Sequence, residues 1–219
     1  AGVILITTKR GQEGRMSVTF DSSYGIQTLG DGIPLMNTAE QIYYETAQFN
    51  NGVSVFQPGP FNNVTWLNND NKFDDYVLVN NAETKRHNLN FTGGTKNFTY
   101  NAVVGLFDQD GQLINSRFKR INSRISTTYK SENWTINGSL SFTTEKRARV
   151  SGGLINSAIR YKPYYPKVDP DVDVVITNGN GGVTTPLNLL ALALKRKDDS
   201  NRDRFQGNLS LSRKLGNDV

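Results

Sequence analysis

The chain has 219 residues, with 25 Lys+Arg against 20 Asp+Glu, no Cys and one His, a length suited to one large or two small domains. That inventory removes disulfide frameworks, thiol catalysis and the usual zinc sites, and it leaves no Ser/His/Asp triad except through His87. The net charge of +5 is scattered, and its one dense run, Lys195-Arg196-Lys197, is offset at once by Asp198-Asp199, which is the pattern of solvated surface and not of a nucleic-acid interface.

Taken in order, the chain opens without a charged-then-apolar leader, so it is expected to be a mature product or an excerpt. Val3-Ile4-Leu5-Ile6 reads as a buried apolar strand, followed by the basic turn Thr7-Thr8-Lys9-Arg10-Gly11. From Met16 to Thr28 the pattern changes to strict alternation, with Val18, Phe20, Ser22, Tyr24 and Ile26 on one face. A long connection over 29–86 follows. Thr38-x-x-Gln41 predicts a capping box there, starting a helix with Ala39, Ile42, Tyr43 and Thr46 on one face. Residues 52–71 are rich in Asn, Gly and Pro and are expected to be irregular.

Four further alternating segments come next, preceded by a shorter piece at Leu89 and Phe91. Phe98, Tyr100, Ala102, Val104 and Leu106 share one face of the first, and Ile121, Ser123, Ile125, Thr127 and Tyr129 one face of the second. Trp134, Ile136, Gly138, Leu140 and Phe142 share a face of the third, and Phe205, Gly207, Leu209 and Leu211 a face of the last. Asp108-Gln109-Asp110-Gly111 is similar to the start of a calcium loop, but Lys119 stands where the distal Glu belongs, so a hairpin turn is expected. Asp70–Asp75 and Asp169–Asp173 read as solvated loop charge. Residues 161–170, with three prolines and three tyrosines, are expected to form a stiff extended surface segment.

These segments predict an all-β fold: an antiparallel up-and-down sheet with one apolar and one polar face. Ten residues from Phe98 to Phe107 make about 33 Å of strand at ~3.3 Å per residue. Tilted by ~45°, that covers roughly the ~25 Å apolar band of an outer-membrane barrel. The longest apolar run, 189–194, has six residues against the ~20 that a spanning helix needs. Tight connections at 95–97 and 131–133 alternate with long ones at 29–86 and 146–204, as in membrane barrels with short periplasmic turns and long extracellular loops.

Specific motifs sharpen this. Gly2-Val3-Ile4-Leu5-Ile6-Thr7-Thr8-Lys9-Arg10-Gly11 resembles the GVI-x-ITTK-x-G run that joins plug to barrel in SusC/RagA-type TonB-dependent outer-membrane transporters. Asn88 to Thr95 resembles that family's HN-L-S-x-SGGT hairpin. Gly105 to Gly111 resembles its Y-x-DQ-x-G strand end, and Phe118 to Arg124 its F-K-R-x-N-x-R start. Asn37-Thr38-Ala39-Glu40-Gln41 sits where the family has N-x-A-E-x, and Pro186-Leu187 and Arg204 to Leu209 resemble later segments in the family's order.

The resemblance implies that residues 1–14 are the last plug strand and linker, and 15–219 the N-terminal part of a transmembrane β-barrel of about 22 strands. It implies import of a large nutrient, glycan or peptide, across the outer membrane, with a SusD-like lipoprotein over the loops. A TonB complex would act through a plug segment that precedes Ala1, and outer-membrane lipid would surround the wall. No catalytic residue, metal or cofactor is expected. The competing reading is a soluble all-β carbohydrate-binding or adhesion module. In the long loops, Trp66, Tyr161, Tyr164 and Tyr165 are the candidates for contact with substrate or partner, or for folding the loops onto one another. Tyr24, Phe98, Tyr129, Trp134 and Phe142 suit interfacial girdles.

Overall fold

Side chains that alternate with period two bury or solvate whole faces only if the strands stay in register, and here they do, apart from one shift between Gly14 and Ser17 of β1. A computed structural model describes residues 2, 11–30, 32, 34–150, 153–167, 176–177, 183–184 and 198–215. Its main sheet contains β1 (Gly14–Gln27), β2 (Ala82–Gly94), β3 (Phe98–Asp110), β4 (Arg117–Lys130) and β5 (Trp134–Arg149). A two-residue hairpin, β6 (Ile176–Thr177) and β7 (Val183–Thr184), precedes the last strand, β8 (Asp198–Arg213). The six long strands lie in the order β1-β2-β3-β4-β5-β8, every neighbour antiparallel, and the sheet is open with β1 and β8 at its edges. No helix among the described residues is long and apolar enough to cross a membrane.

Two tight turns at one end of the sheet share a design. Thr95 and Ser131 each take the first position: their amides donate to Phe98 O at 2.7 Å and Trp134 O at 2.8 Å, and their hydroxyls accept from the Phe98 and Trp134 amides at 3.2 Å. Gly94 enters the first turn at φ +148°, a conformation that a side chain would strain. The connections 28–81, 111–116 and 150–197 all leave from the opposite end.

The strands run further than alternation of apolar residues predicts. The connections expected at 29–86 and 146–204 each overrun the strands, which begin at Ala82 (β2) and Asp198 (β8) and end at Arg149 (β5). Toward the loop end both faces carry charge (Glu83, Lys85, Lys146, Arg147, Asp199, Arg202), so the hydropathy signal fades while the backbone ladder continues. The apolar strand expected at 3–6 lies outside the described residues; of the segment expected to be plug strand and linker, residues 2 and 11–14 are described, and Gly14 already pairs with Gly94 in β1.

The sheet has almost no buried core of its own. The packed core lies in the loops, where Phe73, Val77, Leu154, Ala158 and Tyr161 cluster, with Trp66, Tyr76, Ile114 and Tyr165 against them. Helix α1 (Thr38–Asn50) is capped by Asn37, not by Thr38. Asn37 Oδ1 accepts from the Glu40 amide at 2.9 Å and Glu40 Oε2 accepts from the Asn37 amide at 3.0 Å. Thr38, one residue inside, sends its hydroxyl to Asn69 O at 2.6 Å. The packed face of α1 therefore carries Thr38 and Glu45, while Tyr43 points away from it, 79% exposed. A short helix, α2 (Gly59–Asn62), lies in the first loop, and α3 (Leu154–Arg160) in the second had no counterpart in the sequence reading.

Candidate functional site

Cross-strand partners lie on the same side of a sheet, so the register defines both faces. On one, Val18↔Phe91, Phe20↔Leu89, Ile125↔Leu140, Phe142↔Phe205 and Ile136↔Leu211 build a continuous apolar belt. It is widely exposed: Leu140 by 52% and Leu209 by 78%. At the turn end Phe98 faces Tyr129, and Trp134 lies opposite Arg213, whose guanidinium is 5.3 Å from the indole. At the loop end the belt gives way to Tyr24, Lys85, Asp108, Lys119 and Lys146. Phe98, Tyr129, Trp134 and Tyr24 thus border the belt, but Phe142 lies inside it. His87 sits on this same side, its Nδ1 2.9 Å from the Ser22 hydroxyl.

The opposite face is mostly polar, with Val103, Phe107 and Phe118 as apolar members. One row reads Asn88, Gly105, Asn122, Thr143, Arg204, and the row two residues nearer the loops reads Arg86, Phe107, Arg120, Glu145, Arg202. Gly105 makes room for its neighbours: a Cβ there would come within 2.8 Å of Asn122 Oδ1 and 2.9 Å of Asn88 Oδ1. Elsewhere on this face Asn101 Nδ2 donates to Asn90 Oδ1 at 2.8 Å. Phe107 and Phe118 lie 5.9 Å apart, with Arg86 5.5 Å and Arg120 5.8 Å from the first ring and Arg147 4.9 Å from the second. A wall of amides, hydroxyls and guanidinium groups suits polar solutes.

The four aromatics singled out in the loops come together. Trp66 stacks on Tyr164 at 5.9 Å and meets Tyr165 edge-on at 5.4 Å, and Tyr161 meets Tyr165 at 6.2 Å. Tyr161 and Tyr164 are buried, Trp66 and Tyr165 partly so. The stiff surface segment expected at 161–170 is, as far as it is described, packed inward at Tyr161, Pro163 and Tyr164. Glu45 on α1 accepts from Tyr164 Oη at 2.9 Å and from Gln41 Nε2 at 2.7 Å, and pairs with Lys162. Burial first, and then the Glu45 carboxylate, hold the Tyr164 hydroxyl far above the usual tyrosine range and push Tyr165 up to about 12. Asn69 and Asn71 add side-chain bonds to Tyr164 O and Tyr165 O at 2.9 and 2.8 Å.

Asp108 and Asp70 of the acidic motifs serve the structure. Asp108 grips Arg117 with two bonds of 2.8 and 2.7 Å across the 111–116 turn, and Asp70 Oδ1 accepts from the Thr38 amide at 2.9 Å. Asp169 to Asp173 lie outside the described residues.

No family model matches the chain. In sequence it is 26% identical, over 218 residues, to TonB-dependent receptor P3 of Formosa agariphila, a match covering 94% of this chain and 20% of that protein. In structure it is similar to the RagAB peptide transporter, with a TM-score of 0.56 and 21% identity over 80% of this chain and 23% of the other. The RagAB peptide importer in its "closed-closed" state gives 0.55, 21%, 81% and 23% on the same measures. The chain therefore spans about a fifth of the length of the proteins it matches. Ordered motifs, a two-faced antiparallel sheet and both likenesses agree: across most of its length this chain is similar to the barrel portion of SusC/RagA-type TonB-dependent transporters.

Proposed function

We propose that the chain supplies barrel wall and extracellular loops to a TonB-dependent outer-membrane transporter that imports a large nutrient, glycan or peptide. The observation that carries this reading is the register, which sets one lipid-compatible belt and one polar wall across six strands. A soluble carbohydrate-binding or adhesion module has no use for so broad an uncovered apolar face. Residues 1–14 serve as the last plug strand and linker, and 15–219 as the first part of the barrel. A SusD-like lipoprotein covers the loop end, and TonB acts through the plug. Within the loops Tyr161 and Tyr164 hold the shape, and the partly exposed rings of Trp66 and Tyr165 offer surface to substrate or partner.

Cysteine labelling of intact cells tests the topology. In the full-length protein Tyr43→Cys labels from outside and Glu132→Cys does not, and nutrient uptake stops when TonB is deleted. Labelling at Glu132 alone inverts the orientation. Absence of the protein from the outer-membrane fraction removes the reading.

A further inference from the structure

On the polar face of β4, β5 and β8, four successive rows run Phe118–Arg147–Ser200, Arg120–Glu145–Arg202, Asn122–Thr143–Arg204 and Arg124–Ser141–Gln206. They place five arginines in a patch about 10 Å wide, two strand spacings, and about 20 Å long. Glu145 is the only acid in these rows, and it lies 3.7 Å from Arg147. Arg120, Arg124, Arg202 and Arg204 make no ion pair among the described residues. Like charges gathered on one wall repel unless an anion is shared between them.

Two features distinguish the patch from ordinary solvated charge. Arg120 and Arg147 lie against the Phe107 and Phe118 rings, which limits where their planar forks point. Asn122, Thr143 and Ser141 lie among the arginines and offer neutral hydrogen bonds to the parts of a ligand between its charges. The location also matters. The chain enters β1 at the turn end, where Gly11 lies against the Tyr100 backbone, whereas the Arg120 row stands seven residues further toward the loops. A solute arriving from the loop end reaches it first.

We propose that this patch binds the transported solute and that the solute is a linear oligomer bearing repeated anionic groups, its carboxylates or equivalent oxyanions held by Arg120, Arg124, Arg202 and Arg204. The inference rests on the transporter reading above. Repeated anions fit because the arginines recur every two to four residues along the strands, matching a chain laid lengthwise and not a single compact ion.

The experiment uses the full-length protein purified from outer membranes, with four fluorescent probes: oligogalacturonate, oligoglutamate, a neutral maltooligosaccharide and a neutral oligoserine. At least one anionic probe binds more tightly than its neutral counterpart, with affinity falling as salt rises. The pairs Arg120→Gln/Arg124→Gln and Arg202→Gln/Arg204→Gln each weaken it by about tenfold or more, and the matching Lys pairs by much less. The two anionic probes distinguish a saccharide from a peptide. Heat-modifiable migration on gels selects variants with an intact barrel. Equal binding by wild type and Gln variants overturns the proposal, as does a preference for neutral probes. Lower thermal stability with unchanged probe affinity also overturns it, since the arginines then serve carboxylates of the protein itself. A surface-labelled transporter that binds neither anionic probe overturns the inference and leaves the transporter reading standing, whereas absence from the outer membrane removes both.

Discussion

The Tyr164 hydroxyl donates to Glu45 Oε2 at 2.9 Å across 119 residues of sequence, and this bond fastens helix α1 of the first long loop to the second. Lys162 and Gln41 converge on the same carboxylate, so Glu45, nearly buried, is the knot of the loop layer. Tyr164→Phe removes a hydrogen bond to a charged group while leaving the other two donors, at a local cost of about 1.5 kcal/mol. Amide hydrogen exchange of the intact protein then rises over 38–50 and 161–165 and stays unchanged in β2 to β5. Equal acceleration in the strands refutes the view that loop core and sheet are separate units.

Alkali should loosen the same layer. Burial and the Glu45 carboxylate raise the folded hydroxyl pKa of Tyr165 to about 12, and raise that of Tyr164 as well. A raised folded pKa means that the stabilisation is complete below the unfolded value near 10 and is lost as pH climbs through the folded one. Near-ultraviolet circular dichroism of the loop aromatics is therefore flat to about pH 10 and decays between 10 and about 12. Tyr165→Phe narrows that decay. A transition at neutral pH contradicts the assignment.

Helix α1 depends on Asn37, whose reciprocal bonds with Glu40 satisfy two terminal amides. Asn37→Ala costs about 1 kcal/mol of helix stability, and Asn37→Ser restores most of it. The readout is proteolytic nicking within 38–50 of the folded protein. Thr38→Ala acts differently, since the Thr38 hydroxyl binds Asn69 O and anchors the helix to its own loop. Faster nicking in Thr38→Ala than in Asn37→Ala counts against this assignment of the cap.

The sheet was legible because its two faces carry opposite chemistry at successive residues: Phe98 to Leu106 and Trp134 to Phe142 declare their faces one residue at a time. The strand ends were not, because Glu83, Lys85, Lys146 and Arg147 are polar on both sides where the strands rise past the belt. Local rules also misplaced the cap, since Asn37 and Thr38 are both good cap residues and only the contact with Asn69 separates their roles. Helix α3 and the burial of Tyr161 and Tyr164 rest on contacts with Phe73 and Glu45, residues roughly ninety or more positions away that no local pattern could connect. The arginine wall was hidden for a related reason: its members come from β4, β5 and β8 and become neighbours only through register.

That register makes adjacent residues of β5 respond oppositely to charge. Leu140 projects from the middle of the apolar belt, and Ser141 from the polar wall between Arg124 and Gln206. Leu140→Arg should cost about 2–4 kcal/mol in the membrane, whereas the cost of Ser141→Arg is limited to crowding with Arg124. Urea titration of the full-length protein refolded into vesicles measures both. A larger loss for Ser141→Arg inverts the two faces.

The edges of the sheet set the final prediction. Among the described residues β1 pairs only with β2 and β8 only with β5, so each presents a row of unpaired backbone donors and acceptors. The belt adds Phe20, Leu140, Phe205 and Leu209, each at least half exposed, to that open surface. Such a face in water exceeds what monomeric soluble proteins tolerate, and the buried loop core is too small to compensate. The 219 residues expressed alone should therefore self-associate without detergent and disperse in it, with strand content retained only where the edges are paired or shielded. Sedimentation velocity with and without detergent measures this. A monodisperse monomer that unfolds cooperatively in plain buffer shows that these six strands do not need further barrel wall.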